Sequence, residues 1–152
     1  MTKSIISEKA KSAIGQSQPP ITVEVSRREI QKYSLATQQS QQKYLDGDEA
    51  PPMFLFGLLR PLTPINELGP DGIARDASLP DLPLKRVMAG GTEMIWSRPI
   101  RPGDVLTATK TLSGMEEKQG KTGPLILLHY ELDVLDANSS LVVKERSTRI
   151  CR

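Results

Sequence analysis

The stretch from Thr92 to the C-terminus constrains the fold more than any other part of the chain. TEMIWSRPI, DVLTATKTLS, LILLHYELDV and LVVKERSTRI are four segments rich in β-branched and aromatic residues. They are separated by RPGD, by the polar run GMEEKQGKTG and by DANSS, and such runs bounded by Gly, Pro, Asp and Asn read as strands ending in turns. In LILLHYELDV, Ile126, Leu128, Tyr130, Leu132 and Val134 share one face, while Leu127, His129, Glu131 and Asp133 share the other, because successive strand side chains point to opposite sides. One face is core. The four segments read as an antiparallel meander, and a sheet with one apolar face must bury it against another layer.

The candidate for that layer is MFLFGLLR, residues 53–60. Pro51-Pro52 sits where proline is tolerated, at the first turn of a helix, and Pro61 and Pro64 close it. A helix that is apolar on every side is expected to be buried. Gly57 lies inside it, where glycine costs about 1 kcal/mol relative to alanine; close packing by a sheet or second helix, or room left for an acyl chain beside flexible Met53, would offset that. Upstream, a short helix ends at Gly15, ITVEV forms a strand at 21–25, and Ser26 with Glu29 has capping-box spacing for a helix running to about Thr37. TQQSQQKYLDGDEAP is polar and turn-rich, and residues 62–83 form a long Pro/Gly/Asp-rich loop of the kind that often carries function. A strand, a wholly apolar central helix and a set of long antiparallel strands describe an α+β fold in which a sheet wraps around a helix, the hot-dog arrangement. Residues 1–152 read as one such domain, with no repeat or interdomain linker.

Charge and composition exclude several function classes. Lys and Arg number 20 against 18 Asp and Glu, with the signs interleaved, so no basic stripe exists to neutralise a phosphate backbone and nucleic acid is not an expected partner. Cys151 is the only cysteine, which rules out an internal disulfide and a thiolate metal cluster and fits a reducing cytoplasm. The longest apolar run, Met53 to Leu59, falls far short of the roughly 18 residues a membrane span needs. The amino-terminal MTKSIISEKAKSAIGQ lacks the unbroken apolar core of a secretory signal and is read as part of the mature chain. GMEEKQGKTG places five residues, not four, before Gly-Lys-Thr and is followed by Pro124 and a strand. It therefore lacks both the ring size and the helix of a phosphate-binding loop, and reads as a polar turn between two strands.

With one histidine, no two-His metal site is possible. His129 falls on the polar face of its strand beside Glu131 and Asp133, the position of a surface or interface histidine. No G-x-S-x-G elbow or internal cysteine offers a nucleophile. Asp46, Asp48 and Glu49 precede the apolar helix; their ordinary role is capping or dipole compensation, and the alternative is a carboxylate aimed at a substrate. Lys85, Arg86, Arg98 and Arg101 border the strands after the long loop, as solvated surface or as a grip on the phosphates of a pantetheine carrier.

Three stretches together resemble one family: Ala50–Phe54 (APPMF), the block LPDLPLKRVMAGGTEMIWSRPIRPGD from Leu79 to Asp104, and EKQGKTGPLILLHYEL from Glu117 to Leu132. They are similar to the MaoC-like acyl dehydratases, specifically the N-terminal FAS1-like dehydratase domain of 3-hydroxyacyl-thioester dehydratases, over about the last two-thirds of the chain. The resemblance implies a hot-dog fold, a thioester substrate on CoA or acyl carrier protein, and reversible addition of water to a 2-enoyl group. It calls for no cofactor. The family's hydration chemistry uses an aspartate and a histidine in a motif like Asp-x-Asn-Pro-x-His, whereas the corresponding stretch here, LATQQSQQKYLDGDEAPP, has no histidine. No catalytic residue can therefore be transferred.

The expectation is a subunit of a heteromeric enoyl-thioester hydratase in which a second MaoC-like hot-dog subunit brings the Asp/His dyad. Met53, Phe54, Phe56 and Gly57 would wall an acyl tunnel, and Arg98 and Arg101 would meet the carrier's phosphates. The alternatives are a stand-alone hydratase using Asp46 or Asp48, a hot-dog thioesterase homodimer, or an acyl-thioester binding protein without turnover.

Overall fold

The computed structural model describes residues 4–152; residues 1–3, the start of the amino-terminal stretch assigned above to the mature chain, lie outside it. In chain order the elements are α1 (Glu8–Lys11), β1 (Ile21–Glu24), α2 (Arg27–Ala36), α3 (Gln42–Leu45), α4 (Phe54–Leu58), β2 (Val87–Trp96), β3 (Val105–Gly120), β4 (Gly123–Leu135) and β5 (Leu141–Cys151). The five strands form one antiparallel sheet in the order β1-β3-β4-β5-β2. The expected N-cap is formed: Ser26 Oγ accepts from the Glu29 N–H, and the Glu29 carboxylate turns back to accept from the Ser26 hydroxyl. Gly15 takes the left-handed backbone, with φ +85°, that lets the chain leave α1 and run back along β3.

Strand alternation places the core as read from the sequence. Ile126, Leu128, Tyr130 and Val134 are buried, joined by Leu106, Ala108 and Leu112 of β3 and by Val143 and Cys151 of β5. The face carrying these residues is the inner face. Two clusters form on it. One unites Val25, Ile30, Ala50, Phe54, Leu55 and Ile100 with Leu106, Ala108, Val134 and Val143. The other unites Ile6, Ala10 and Leu82 with Leu112, Ile126, Leu128, Tyr130 and Cys151.

Three sequence expectations are corrected. The four carboxy-terminal strands are not a simple meander: β2 pairs with β5, not with β3. β1 already occupies that edge of β3, through Ile21↔Ala108 to Glu24↔Val105, so the chain crosses from β2 to the far side of the sheet before β3 begins. The polar run GMEEKQGKTG is mostly strand. β3 and β4 stay paired out to Gly120↔Gly123, leaving only Lys121 and Thr122 as the hairpin tip; the run is polar because this end of β3 is largely exposed. Finally, α4 is not buried all round. It spans five residues and buries only Phe54 and Leu55, while Met53 at its N-cap is 54% exposed. A helix of fewer than two turns can press only one side on the sheet, and α2 covers much of the remaining apolar surface through Ile30 and Tyr33.

Candidate functional site

The approach to α4 and the end of β2 enclose a depression of about 360 Å³, lined by Glu49, Pro52, Trp96, Ser97, Arg98 and Pro99. Its position follows from the chain's local chemistry. Ala50 N–H donates to the Ile100 carbonyl, tying the segment before α4 to the residues leaving β2, and Phe54 N–H donates to the Pro51 carbonyl to open the helix. Phe54 is buried edge-on against Tyr33 of α2, with ring centroids 5.7 Å apart at 84°, the geometry aromatic pairs prefer. That contact fixes the rotation of α4. On a helix of 3.6 residues per turn, the buried Phe54 and Leu55 leave Met53, Phe56 and Gly57 on the other side. Gly57 is exposed, and a β-carbon added there would meet nothing within 4 Å.

Arg98 is held rigidly. Its guanidinium donates to both carboxylate oxygens of Asp104, at 2.8 and 3.1 Å, to the Pro99 carbonyl at 3.0 Å and to Asp136 at 3.4 Å. These bonds, Asp104 first, hold the guanidinium in its charged form more firmly than usual. Asp136 in turn accepts backbone N–H groups of Ser140 and Asn138, which with Arg98 keep its carboxyl below the usual range. Arg101 is exposed and touches this network through its backbone N–H to Asp104. The Asp104 and Asp136 anchors were missed in the sequence, although RPGD places an aspartate six residues after Arg98 within a turn.

Of the acidic residues before α4 only Glu49 borders the depression, and all three are engaged by neighbours. Asp46 is the C-cap of α3 and accepts from Gln42, Asp48 pairs with Arg27, and Glu49 pairs with Lys43 at 2.7 Å. None caps α4, whose N-cap is Met53. Lys85 pairs with Asp81 on the surface.

His129 lies on the opposite, outer face of the sheet. It occupies a shallow depression of about 380 Å³ with Gly91, Glu93, Ser113, Glu131, Arg146 and Thr148. Its Nδ1 is 3.1 Å from the Thr148 hydroxyl and its Nε2 is 3.7 Å from Glu116. Salt bridges link its neighbours in a ladder, Asp133 to Lys144 and Glu131 to Arg146. No imidazole reaches the α4 depression.

Between the two core clusters runs a belt of charged and polar side chains that alternation alone did not reveal. Met94, Glu145, Leu132 and Lys110 are neighbours across β2, β5, β4 and β3. Lys110 donates to Ser78 Oγ at 2.9 Å and lies 4.4 Å from the centre of the Tyr130 ring. Asp76 pairs with Arg149, lies 3.9 Å from Lys110 and accepts from the Ser78 N–H and hydroxyl. Burial pushes the Asp76 carboxyl up, but Ser78, Lys110 and Arg149 together outweigh it and hold it below the usual range. Burial pushes the Tyr130 phenol up to about 12 and the Lys110 ammonium down. Glu145 is 93% buried, with no cation within 4 Å among the described residues, and burial pushes its carboxyl up.

Residues 12–145 match the family model "FAS1-like, dehydratase domain region". A curated relative, a UPF0336 protein of Streptomyces griseus, is 27% identical over 152 aligned residues covering 93% of each chain. Among solved structures, the ChsH1-ChsH2 complex from Mycobacterium tuberculosis matches with a TM-score of 0.68 at 15% identity, covering 93% of this chain and 86% of that one. The MaoC-like dehydratase from Rhodospirillum rubrum matches with a TM-score of 0.55 at 18% identity, covering 91% and 92%. The HadBC (3R-hydroxyacyl-ACP dehydratase) complex of Mycobacterium tuberculosis gives 0.57 at 11%, covering 91% and 96%. These structures share the hot-dog fold expected from the strand pattern. No helix among the described residues is long and apolar enough to cross a membrane.

Proposed function

Because this chain belongs to the FAS1-like dehydratase domain family, we propose that it is a subunit of a heteromeric enoyl-thioester hydratase. A partner hot-dog subunit supplies the Asp/His dyad, and this chain supplies substrate-binding surface. The dehydratase domain supports a hydratase or dehydratase activity, in which water adds across the C2=C3 bond of a 2-enoyl thioester, hydroxyl to C3 and proton to C2, and leaves by the reverse path. The proton transfers need a positioned acid and base. The observation that carries the reading is the place of the only histidine: it is on the outer face, engaged with Thr148, while the α4 depression holds Glu49 and no imidazole.

Within the assembly, β2 is the contact strand. It is ten residues long, almost wholly exposed, and pairs with β5 alone among the described strands. Unpaired edges of this kind are covered in stable proteins, and pairing with the partner's sheet would cover this one. Met53, Phe56 and Gly57 on the free side of α4 then wall the acyl tunnel. Phe54 backs them from the core, and Arg98 and Arg101 border the end where the carrier phosphates of CoA or an acyl carrier protein would lie. No cofactor is required.

The test is hydration of crotonyl-CoA and longer 2-enoyl-CoA substrates by the purified chain, alone and mixed with a dyad-bearing hot-dog protein that co-purifies from its host. Activity confined to the mixture is expected. Turnover by the chain alone would replace this reading with a stand-alone hydratase, release of free CoA thiol with a thioesterase homodimer, and binding without turnover in either preparation with an acyl-thioester carrier. The site of action expected from composition is the cytoplasm, where CoA thioesters and a free thiol such as Cys151 coexist.

A further inference from the structure

α4 rises about 7.5 Å over five residues, whereas β3 with sixteen residues extends about 50 Å. The helix therefore covers only part of the inner face. Residues Asp76 to Leu84 lie over another part: Leu82 is buried in the second core cluster, and Leu79 and Leu84 pack against it. This strap has no regular secondary structure and, among the described residues, makes no backbone-to-backbone hydrogen bond to a strand; the first such pairing after it is Arg86 with Arg152, just beyond the end of β5. What fastens its start is the belt. Asp76 is gripped by Arg149 and approached by Lys110, Lys110 donates to Ser78 Oγ, and the Tyr130 hydroxyl donates to the Ser78 carbonyl at 2.8 Å. Three strands thus hold two loop residues through side chains only. The preceding segment gives little added hold, since Leu62, Ile65 and Ile73 are 100%, 89% and 66% exposed.

From this geometry we propose that residues Asp76 to Leu84 form a latched lid, which opens as a unit from the apolar cluster of Leu112, Ile126, Leu128 and Cys151 while the sheet and α4 remain folded. Asp76 is the bolt, and Lys110, Arg149 and Tyr130 are its keeper. Local openings of this kind occur where a segment makes few backbone hydrogen bonds to the rest of the fold. The lid stands apart from the proposed activity and does not depend on it.

Cys151 is the only thiol, is 1% exposed and lies in the cluster that Leu82 completes, so it reports opening. The experiment is labelling of Cys151 in the full chain with a disulfide reagent, followed against urea below the unfolding transition. Opening of the lid gives a labelling rate almost independent of urea, because little surface is exposed, whereas global unfolding gives a rate that climbs with the full denaturant slope. The expected result is a shallow slope for the native chain. Asp76→Asn should label about tenfold faster or more with the slope still shallow, and the milder Tyr130→Phe a few-fold faster. Arg146→Gln, which breaks only the outer-face pairs with Glu131 and Glu93, should leave the rate unchanged. A steep slope in the native chain, or acceleration by Asp76→Asn that only matches its loss of global stability, would overturn the lid.

Discussion

The two halves of the inner face are built on different principles. Around α4, the buried side chains of β3, β4 and β5 meet a helix pair, and the contact runs through apolar side chains from Val25 and Ile30 to Phe54 and Val143, with Ser34 the one buried polar residue of α2. Under the strap, apolar residues are just as well buried, but the covering segment is irregular and is secured by Asp76, Lys110, Tyr130 and Arg149. Apolar packing against regular structure is hard to open in parts, because the interior is close-packed and each element is held by its own backbone hydrogen bonds. A strap fastened by side chains concentrates its attachment in a few exchangeable bonds. The difference teaches that similar burial does not imply similar local stability.

Truncating matched residues in the two halves is the most severe way to break this comparison. Phe54→Ala should cost about 3–5 kcal/mol, the range for deleting a buried aromatic ring, because α4 and Tyr33 are pinned and cannot fill the gap. Leu82→Ala should fall at the low end of the range for buried leucine, about 2 kcal/mol, because the strap can settle into the space. Urea denaturation of both variants checks it. Equal losses would mean that the strap is as rigid as α4 and would erase the distinction.

A smaller effect tests the charged belt. The Glu145 carboxyl is raised by burial, so the folded chain holds that proton to higher pH than the unfolded chain does. A raised carboxyl stabilises the fold fully below the unfolded value and loses that contribution as pH rises through the folded value. At neutral pH a buried charge with no cation within 4 Å is therefore a liability. Glu145→Gln should stabilise the chain by about 1 kcal/mol at pH 7 and raise Tm by a few degrees. The gain should shrink toward zero near pH 4, where the native glutamate is protonated. A loss of stability at pH 7 would show that Lys110, Ser147 and Arg149 together offset the burial of Glu145, and that the belt is paired on both sides.

How far the fold could be read from the sequence differs between these same regions. Period-two alternation in LILLHYELDV identified Ile126, Leu128, Tyr130 and Val134 as core, since every second residue of a half-buried strand must be apolar. Ser26 and Glu29 marked the start of α2 because the cap is local. Strand order was not legible: no local feature tells β2 to join β5 across the sheet, where β1 has taken the alternative edge. Polar residues in GMEEKQGKTG looked like a turn because an exposed edge of a hairpin and a loop share a composition. At the α4 site the sequence groups Met53, Phe54, Phe56 and Gly57, but it does not tell that Phe54 turns into the core against Tyr33 while the other three stay on the far side of the helix, beside the depression that Arg98 lines. The long-range anchors, Asp104 and Asp136 on Arg98 and Asp76 on Arg149, join positions that no periodicity relates.

The smallest expected effect is at Gly57, and it separates the isolated chain from the assembly. In the chain alone, an added methyl group meets nothing within 4 Å, and alanine favours a helix interior over glycine by up to about 1 kcal/mol. Because α4 has five residues, Gly57→Ala should stabilise the free chain by about 0.5 kcal/mol, measured as a small upward shift of the urea midpoint. If the free side of α4 walls an acyl tunnel, the same methyl narrows it. Gly57→Phe narrows it far more and should shift the assembled hydratase toward shorter 2-enoyl-CoA substrates, read as a fall in kcat/KM for long chains relative to crotonyl-CoA. An unchanged chain-length preference with Gly57→Phe would remove Gly57 from the tunnel, and would leave its exposed surface to another contact of the subunit. A destabilised Gly57→Ala chain would instead show that this side of α4 is already occupied within the isolated protein.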